Sequence, residues 1–200
     1  MQSLISPHFL FNCLSTLTSL AFIEEAHQTE ECSLQLAKFL RKFLDHIGKT
    51  ILIREEVEHT KEYIKIQQLR FGKRISFEII CDRECEGQKI PALILQPLVE
   101  NSLSHGLKNC RGGGLIQIDI HKIQKEEIAI EVRDNGEGIS EEQMKQIEEE
   151  LKKPFESGQK GIGLRSIAYR LNDFFKNRSS VHLEAQTKGT VAKIIIPADS

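Results

Sequence analysis

Between Pro7 and Phe71 the chain contains a single glycine, Gly48, and its apolar residues return every three or four positions. Beyond Gly72 the spacing shortens toward alternation, broken by glycine-rich turns. That change of period is the strongest constraint on the fold, because a helix repeats about every 3.6 residues and a strand every two. Leu10, Leu14, Leu17 and Ala21 follow one another at spacings of four, three and four, and Leu36, Leu40, Phe43 and Ile47 repeat the pattern. With the polar stretch Glu24 to Glu31 between them, the two stripes predict an antiparallel helical hairpin. Such a hairpin needs a second pair of helices to close a bundle, so a homodimer through these helices is expected. A third helix is expected from about Arg54 to Arg70.

From Ile75 onward, strands are predicted at Ile75 to Cys81, Leu115 to His121, Ile128 to Arg133, Val181 to Ala185 and Val191 to Ile196. Alternation is clearest where Ile116, Ile118 and Ile120 oppose Gln117, Asp119 and His121. Helices are predicted at Pro91 to Leu107, Glu141 to Leu151 and Ile162 to Asn177, with Pro91 in a first turn and Gly106 at a helix end. This order predicts an α+β fold in which a helical hairpin precedes a mixed sheet covered on one face. The expected division is a helical region, 1–72, and a sandwich, 73–200.

The 27 basic and 29 acidic side chains leave a net charge of −2, which supplies no basic face for nucleic acid. No apolar run reaches the roughly 18 residues of a membrane span. The first eight residues have neither the cationic start nor the apolar core of a secretory signal. Five cysteines without a Cys-x-x-Cys pair suggest reduced thiols rather than a zinc site.

Three segments of the second half carry chemistry. In Leu95 to Gly106, polar Glu100, Asn101 and His105 interrupt an apolar helix, and Asn101 and His105 share a face. An asparagine carbonyl suits Mg²⁺, which completes its shell with phosphate oxygens and water. An amphipathic helix with a solvated polar face accounts for the segment equally well. In Asp134-Asn-Gly-Glu-Gly138, Gly136 and Gly138 let backbone approach a flat ligand, and a carboxylate at a strand end can accept from an exocyclic amine such as that of adenine. A strand-ending turn explains the same residues, whereas a calcium loop fits poorly, with Gly136 and Lys145 at positions that need ligands. In Gly158-Gln-Lys-Gly-Ile-Gly-Leu-Arg165 a glycine-rich turn opens a helix, whose free amides suit phosphate. It matches neither the P-loop nor the dinucleotide fingerprint.

Together, and in this order, the three segments resemble the N, G1 and G2 boxes of the ATP-binding domain shared by gyrase, MutL, the related heat-shock chaperone and histidine kinases. Pro7-His-Phe-Leu-Phe-Asn12 resembles the H-box of the LytS/YehU type of bacterial sensor histidine kinase. Tyr63-Ile-Lys-Ile-Gln-Gln-Leu-Arg-Phe71 and Gln96-Pro-Leu-Val-Glu-Asn101 resemble the linking helix and N-box of the same type. The resemblance extends over essentially the whole chain.

The resemblance implies an ATP-dependent protein-histidine kinase of a bacterial two-component system. His8 would be the phosphoacceptor, and ATP with Mg²⁺ the cofactors. A response regulator and a second copy of the chain would be the partners. At ~100° per residue His8 lies ~200° from Leu10, away from the apolar stripe. Asn101 would hold Mg²⁺, and Asp134 would read adenine beside Gly136 and Gly138. Gly161, Gly163 and Leu164 would face the phosphates across a lid from Ser140 to Lys160, with Arg165 reaching the γ-phosphate. Glu100 would act as a base or orient the imidazole. Ser104 stands where related proteins carry a phosphate-contacting lysine, leaving that contact to His105 or Lys108. Phe9 stands where many histidine kinases have an acid after the phosphoacceptor, which leaves the acid-base partner of His8 open. The chain would be the cytoplasmic catalytic end of a plasma-membrane receptor, joined to the membrane only through an upstream region. A nucleotide-binding switch without turnover remains open here, whereas a serine kinase of the anti-sigma type is disfavoured, because it would not need the His8 helix.

Overall fold

The computed structural model describes residues 6–124, 126–152 and 163–198. Helix α1, Pro7–Ile23, starts with proline in its first turn, where a missing N–H removes no helical bond. A turn of three residues, with Glu25 at φ +56°, leads into α2, His27–His46. The helices form the expected hairpin, and Arg41 of α2 stacks over the Phe11 ring of α1, 5.4 Å from its centroid. The Glu24–Glu31 linker is shorter than expected, because α2 begins at His27 inside it. The apolar stripes are only partly covered. Leu14, Ala21 and Phe39 are buried, but Leu10, Leu17 and Ile47 remain 37 %, 50 % and 56 % exposed.

A short strand pair that the sequence pattern did not reveal follows. β1, Thr50–Leu52, lies antiparallel to β3, Lys89–Pro91, with Thr50 opposite Pro91. Pro91 therefore ends a strand and does not open a helix. Between the two come α3, Ile53–Phe71, ended by Gly72 at φ +57°, and β2, Ile75–Cys81. Helix α4 runs only from Leu95 to Asn101 and continues as a π-helical turn, Ser102–Gly106, so Gly106 does mark a helix end.

The main sheet adds β4, Gly114–Gln124, β5, Glu127–Asp134, β6, Ser180–Ala185, and β7, Thr190–Pro197, in the order β2-β4-β5-β7-β6. The β2–β4 pair is parallel and the others antiparallel, which gives the mixed sheet of an α+β fold. Helices α5, Glu141–Lys152, and α6, Leu164–Phe174, complete the described elements. Ile116, Ile118, Ile120, Ile130 and Ile194 on the covered face pack with Leu98, Val99, Ile167 and Leu171 in one core, to which Phe39, Ile53, Val57 and Ile64 of α2 and α3 also belong. On the opposite face Glu131 pairs with Lys193 at 2.9 Å and with Arg133. No described helix is long and apolar enough to cross a membrane.

Candidate functional site

The site is organised around the last residue of the central strand. Even-numbered residues of β5 face the helices, so Asp134 points inward in line with Ile130 and Val132 and is 8 % exposed. Its Oδ1 accepts the N–H of Gly136 at 3.0 Å. Gly106, at the end of the π-helical turn, lies directly against this carboxylate, and a Cβ there would overlap it. A Cβ on Gly136 would strike the Gly106 carbonyl, and one on Gly189 would strike the carbonyl of Asp134. Gly138 has φ +75° and faces the Gly189 carbonyl. Glycine at 106, 136 and 189 is thus demanded by close backbone approach, and at 138 by conformation.

Side chains pin the turn. Asn135 Oδ1 accepts the Leu115 N–H at 2.8 Å while its Nδ2 donates to the Gly113 carbonyl at 2.9 Å. Asn109 donates to Glu137 at 2.9 Å, and the Glu137 N–H donates to the Gly106 carbonyl at 3.0 Å. The structure therefore brings two of the three predicted segments into contact.

Glu100 and Asn101 close α4, and exposed His105 lies in the turn beyond. Glu100 accepts from Gln96 Nε2 at 2.9 Å and faces the Tyr63 hydroxyl of α3. Burial and this carboxylate push the Tyr63 phenol up, so it stays protonated. The Asn101 amide has no hydrogen-bonded partner among the described residues. Ser104 bonds back to the Glu100 carbonyl at 2.7 Å.

The third segment is described only from Gly163. Gly158, Lys160 and Gly161, with the end of the expected lid, lie outside the described residues. Gly163 is the extended residue before α6, and its carbonyl accepts the Ser166 N–H at 2.9 Å. Leu164 opens α6, and Arg165 pairs across to Glu150 of α5 at 3.7 Å. His8 is exposed on α1, with the Asn12 amide nitrogen 3.3 Å from its Nδ1. Among the described residues it makes no hydrogen bond to the other predicted site residues.

Gly106 and Asn135, which lie within the predicted segments but have no site role assigned from sequence, and Gly189, which lies outside them, also line the candidate site. Lys188-Gly189 before a strand carried a turn signal, whereas the roles of Gly106 and Asn135 depend on contacts distant in sequence. A separate cleft of about 650 Å³ between α2, α3 and β2, lined by residues including His46, Arg54, Lys61 and Cys81, holds none of the predicted site residues.

Comparison with known proteins bears on the family and the fold. The family model described as histidine kinase matches residues 1–75, and that of the histidine kinase-, DNA gyrase B-, and HSP90-like ATPases matches residues 88–200. Sensor protein LytS of Staphylococcus haemolyticus is 30 % identical over 199 residues, covering 99 % of this chain and 33 % of LytS. LytS of Oceanobacillus iheyensis is 32 % identical over 198 residues, covering 98 % and 34 %. The chain thus spans about a third of the length of these relatives. The putative uncharacterized protein YwpD of Bacillus subtilis is 36 % identical over 178 residues, covering 87 % of this chain and 60 % of YwpD. Among solved structures, the catalytic domain of histidine kinase ThkA superposes with TM-score 0.53 at 18 % identity, covering 74 % of this chain and 95 % of that one. The histidine kinase domain of a blue-light activated kinase from Erythrobacter litoralis superposes with TM-score 0.51 at 17 % identity, covering 94 % of each. At these identities the superpositions establish the fold.

Proposed function

Because the chain belongs to the histidine kinase-, DNA gyrase B- and HSP90-like ATPase family, as a histidine kinase of the LytS type, we propose that it takes the γ-phosphoryl group of ATP onto His8 and passes it to an aspartate of a response regulator. Residues 1–72 would dimerise and carry the phosphoacceptor, and residues 73–200 would bind the nucleotide. The chain would form the cytoplasmic catalytic part of a longer membrane-anchored sensor.

The observation that carries the reading is Asp134, a buried carboxylate at the end of the central strand with side-chain bulk removed at Gly106, Gly136 and Gly189. These residues fit a nucleotide base, since the carboxylate oxygen not engaged by Gly136 can accept from an exocyclic amine. For Mg²⁺, Asn101 supplies one amide oxygen, and among the described residues no cluster of three His, Cys, Asp or Glu competes for a metal. That donor set fits an ion whose remaining shell is phosphate and water. ATP, when bound, supplies the transferable phosphoryl group. Asn12 engages Nδ1 of His8, which leaves Nε2 as the ring nitrogen open to phosphorus. Glu100, held by Gln96, is the carboxylate that would orient the imidazole or take its proton.

Calorimetric titration with Mg²⁺–ATP tests the base-reading role. Asp134→Asn still accepts the Gly136 N–H through its amide oxygen but presents a donor to the adenine amine. Affinity is expected to fall by about tenfold or more. Equal binding by both proteins contradicts the role of Asp134, and no binding by the wild type contradicts the nucleotide reading itself.

A further inference from the structure

Glu56 lies on the face of α3 that also carries Ile53, Thr60 and Tyr63, and it is 0 % exposed. Its Oε2 accepts the backbone N–H of Leu93 at 2.8 Å, and its Oε1 accepts those of Ile94 at 2.6 Å and Leu95 at 2.8 Å. These amides stand at the start of α4, where no carbonyl of the same helix can serve them, and α4 has no side-chain cap of its own. Leu93 has φ +61°, a left-handed conformation that residues with a Cβ avoid, so the chain is bent here and held from outside.

Arg170 of α6 closes the other side of the bend. Its Nη1 donates to the Ala92 carbonyl at 2.6 Å and its Nη2 to the Leu93 carbonyl at 2.8 Å. One short segment, 92–95, thus joins three helices. α3 follows the hairpin that carries His8, α4 ends with Glu100 and Asn101, and α6 follows the glycine segment expected at the phosphates. Seven residues beyond Glu56, Tyr63 faces Glu100, so α3 meets α4 at both its ends.

Local stability does not account for this arrangement. A serine or aspartate before α4 would cap its amides for about 1 kcal/mol, whereas a carboxylate taken into the interior carries a large desolvation cost. What Glu56 adds over a local cap is a connection to a helix 37 residues upstream of Leu93.

We propose that Glu56 and Arg170 are positioning residues for phosphoryl transfer: α3 sets the placement of α4 and α6 through them, so that the arrangement of the helical region is felt as a change in nucleotide affinity. The inference rests on the nucleotide reading above.

The test compares wild type, Glu56→Gln, Arg170→Lys and the double variant at a temperature where circular dichroism shows each folded. The readouts are Mg²⁺–ATP affinity and amide hydrogen exchange. In Glu56→Gln an NH₂ group faces backbone donors, and in Arg170→Lys one ammonium cannot serve two carbonyls as the guanidinium fork does. Glu56→Gln is expected to weaken Mg²⁺–ATP binding by about tenfold and to speed exchange across α6 as well as at 93–95. The double variant should bind no more weakly than the weaker single one. Faster exchange confined to 93–95, with affinity within about twofold of wild type, overturns the proposal, because it is the signature of a local cap. Should Glu56→Gln fail to fold, Arg170→Lys decides alone, and unchanged affinity with unchanged exchange at 93–95 overturns the proposal. A wild type that binds no Mg²⁺–ATP overturns the nucleotide reading and this inference together. A wild type that binds, with variants equal to it, overturns this inference alone.

Discussion

Gly106 and Gly136 meet backbone to backbone: the Gly106 carbonyl fills the space where a Cβ on residue 136 would stand. This contact joins the end of the Asn101 segment to the turn that follows Asp134.

Gly136→Ala is therefore expected to force the two segments apart, at a cost of about 1–3 kcal/mol. Gly163 offers a contrast, since among the described residues nothing lies within 4 Å of where its Cβ would be. Gly163→Ala should change stability by about 1 kcal/mol or less. Urea denaturation of both variants checks the difference, and equal losses would contradict the packing described.

Acid stability should report on His59. This residue is buried among Phe39, Phe43 and His46, and among the described residues neither ring nitrogen has a hydrogen-bond partner. Burial first, then the neighbouring His46 and Lys42, lower its pKa to about 4 against the opposing pull of Glu62. Because the folded value lies below the unfolded one, the unfolded chain binds the proton first. The contribution of neutral His59 is complete above pH 6.5 and is lost as the pH falls toward 4. His59→Phe should flatten this part of the curve of urea midpoint against pH, and an unchanged slope would assign the acid sensitivity to another group.

On the far side of the sheet Glu131 is 4 % exposed. Burial raises its pKa, but the Lys193 hydrogen bond and the charges of Arg133 and Lys193 outweigh burial and hold it below the usual carboxylate range. A depressed carboxylate stabilises the fold above its unfolded pKa and loses that contribution as the pH falls through the folded one. Lys193→Met is expected to cost about 1–3 kcal/mol at neutral pH. The penalty should shrink once Glu131 is protonated. Denaturation at neutral and strongly acidic pH measures it, and a penalty independent of pH would point to lost packing of the lysine stem.

The parts of the fold that could be read from sequence are those set by local pattern. β2 was expected at Ile75–Cys81 and lies there, and the alternation of Ile116, Ile118 and Ile120 marks the buried face of β4. Asp134-Asn-Gly was legible because strand end and turn lie in one run of residues. Pro91 misled because proline is as compatible with a strand end as with a first helical turn. What decides between them is pairing distant in sequence, with Pro91 opposite Thr50 of β1 and the Ala92 N–H donating to the Lys49 carbonyl. Strands β1 and β3, of three residues each, are too short for alternation to show. The stripe on α1 is apolar, yet Leu10 and Leu17 stay exposed in a single chain and would be covered in the proposed dimer.

The central claim is that His8 receives the phosphoryl group. Incubation of wild type and His8→Gln with γ-labelled ATP and Mg²⁺ under conditions that permit dimerisation, followed by acid and alkali treatment, tests it most directly. The account predicts acid-labile, alkali-stable label on the wild type and none on His8→Gln. Equal acid-labile labelling of the two proteins, or acid-stable and alkali-labile label, would contradict it.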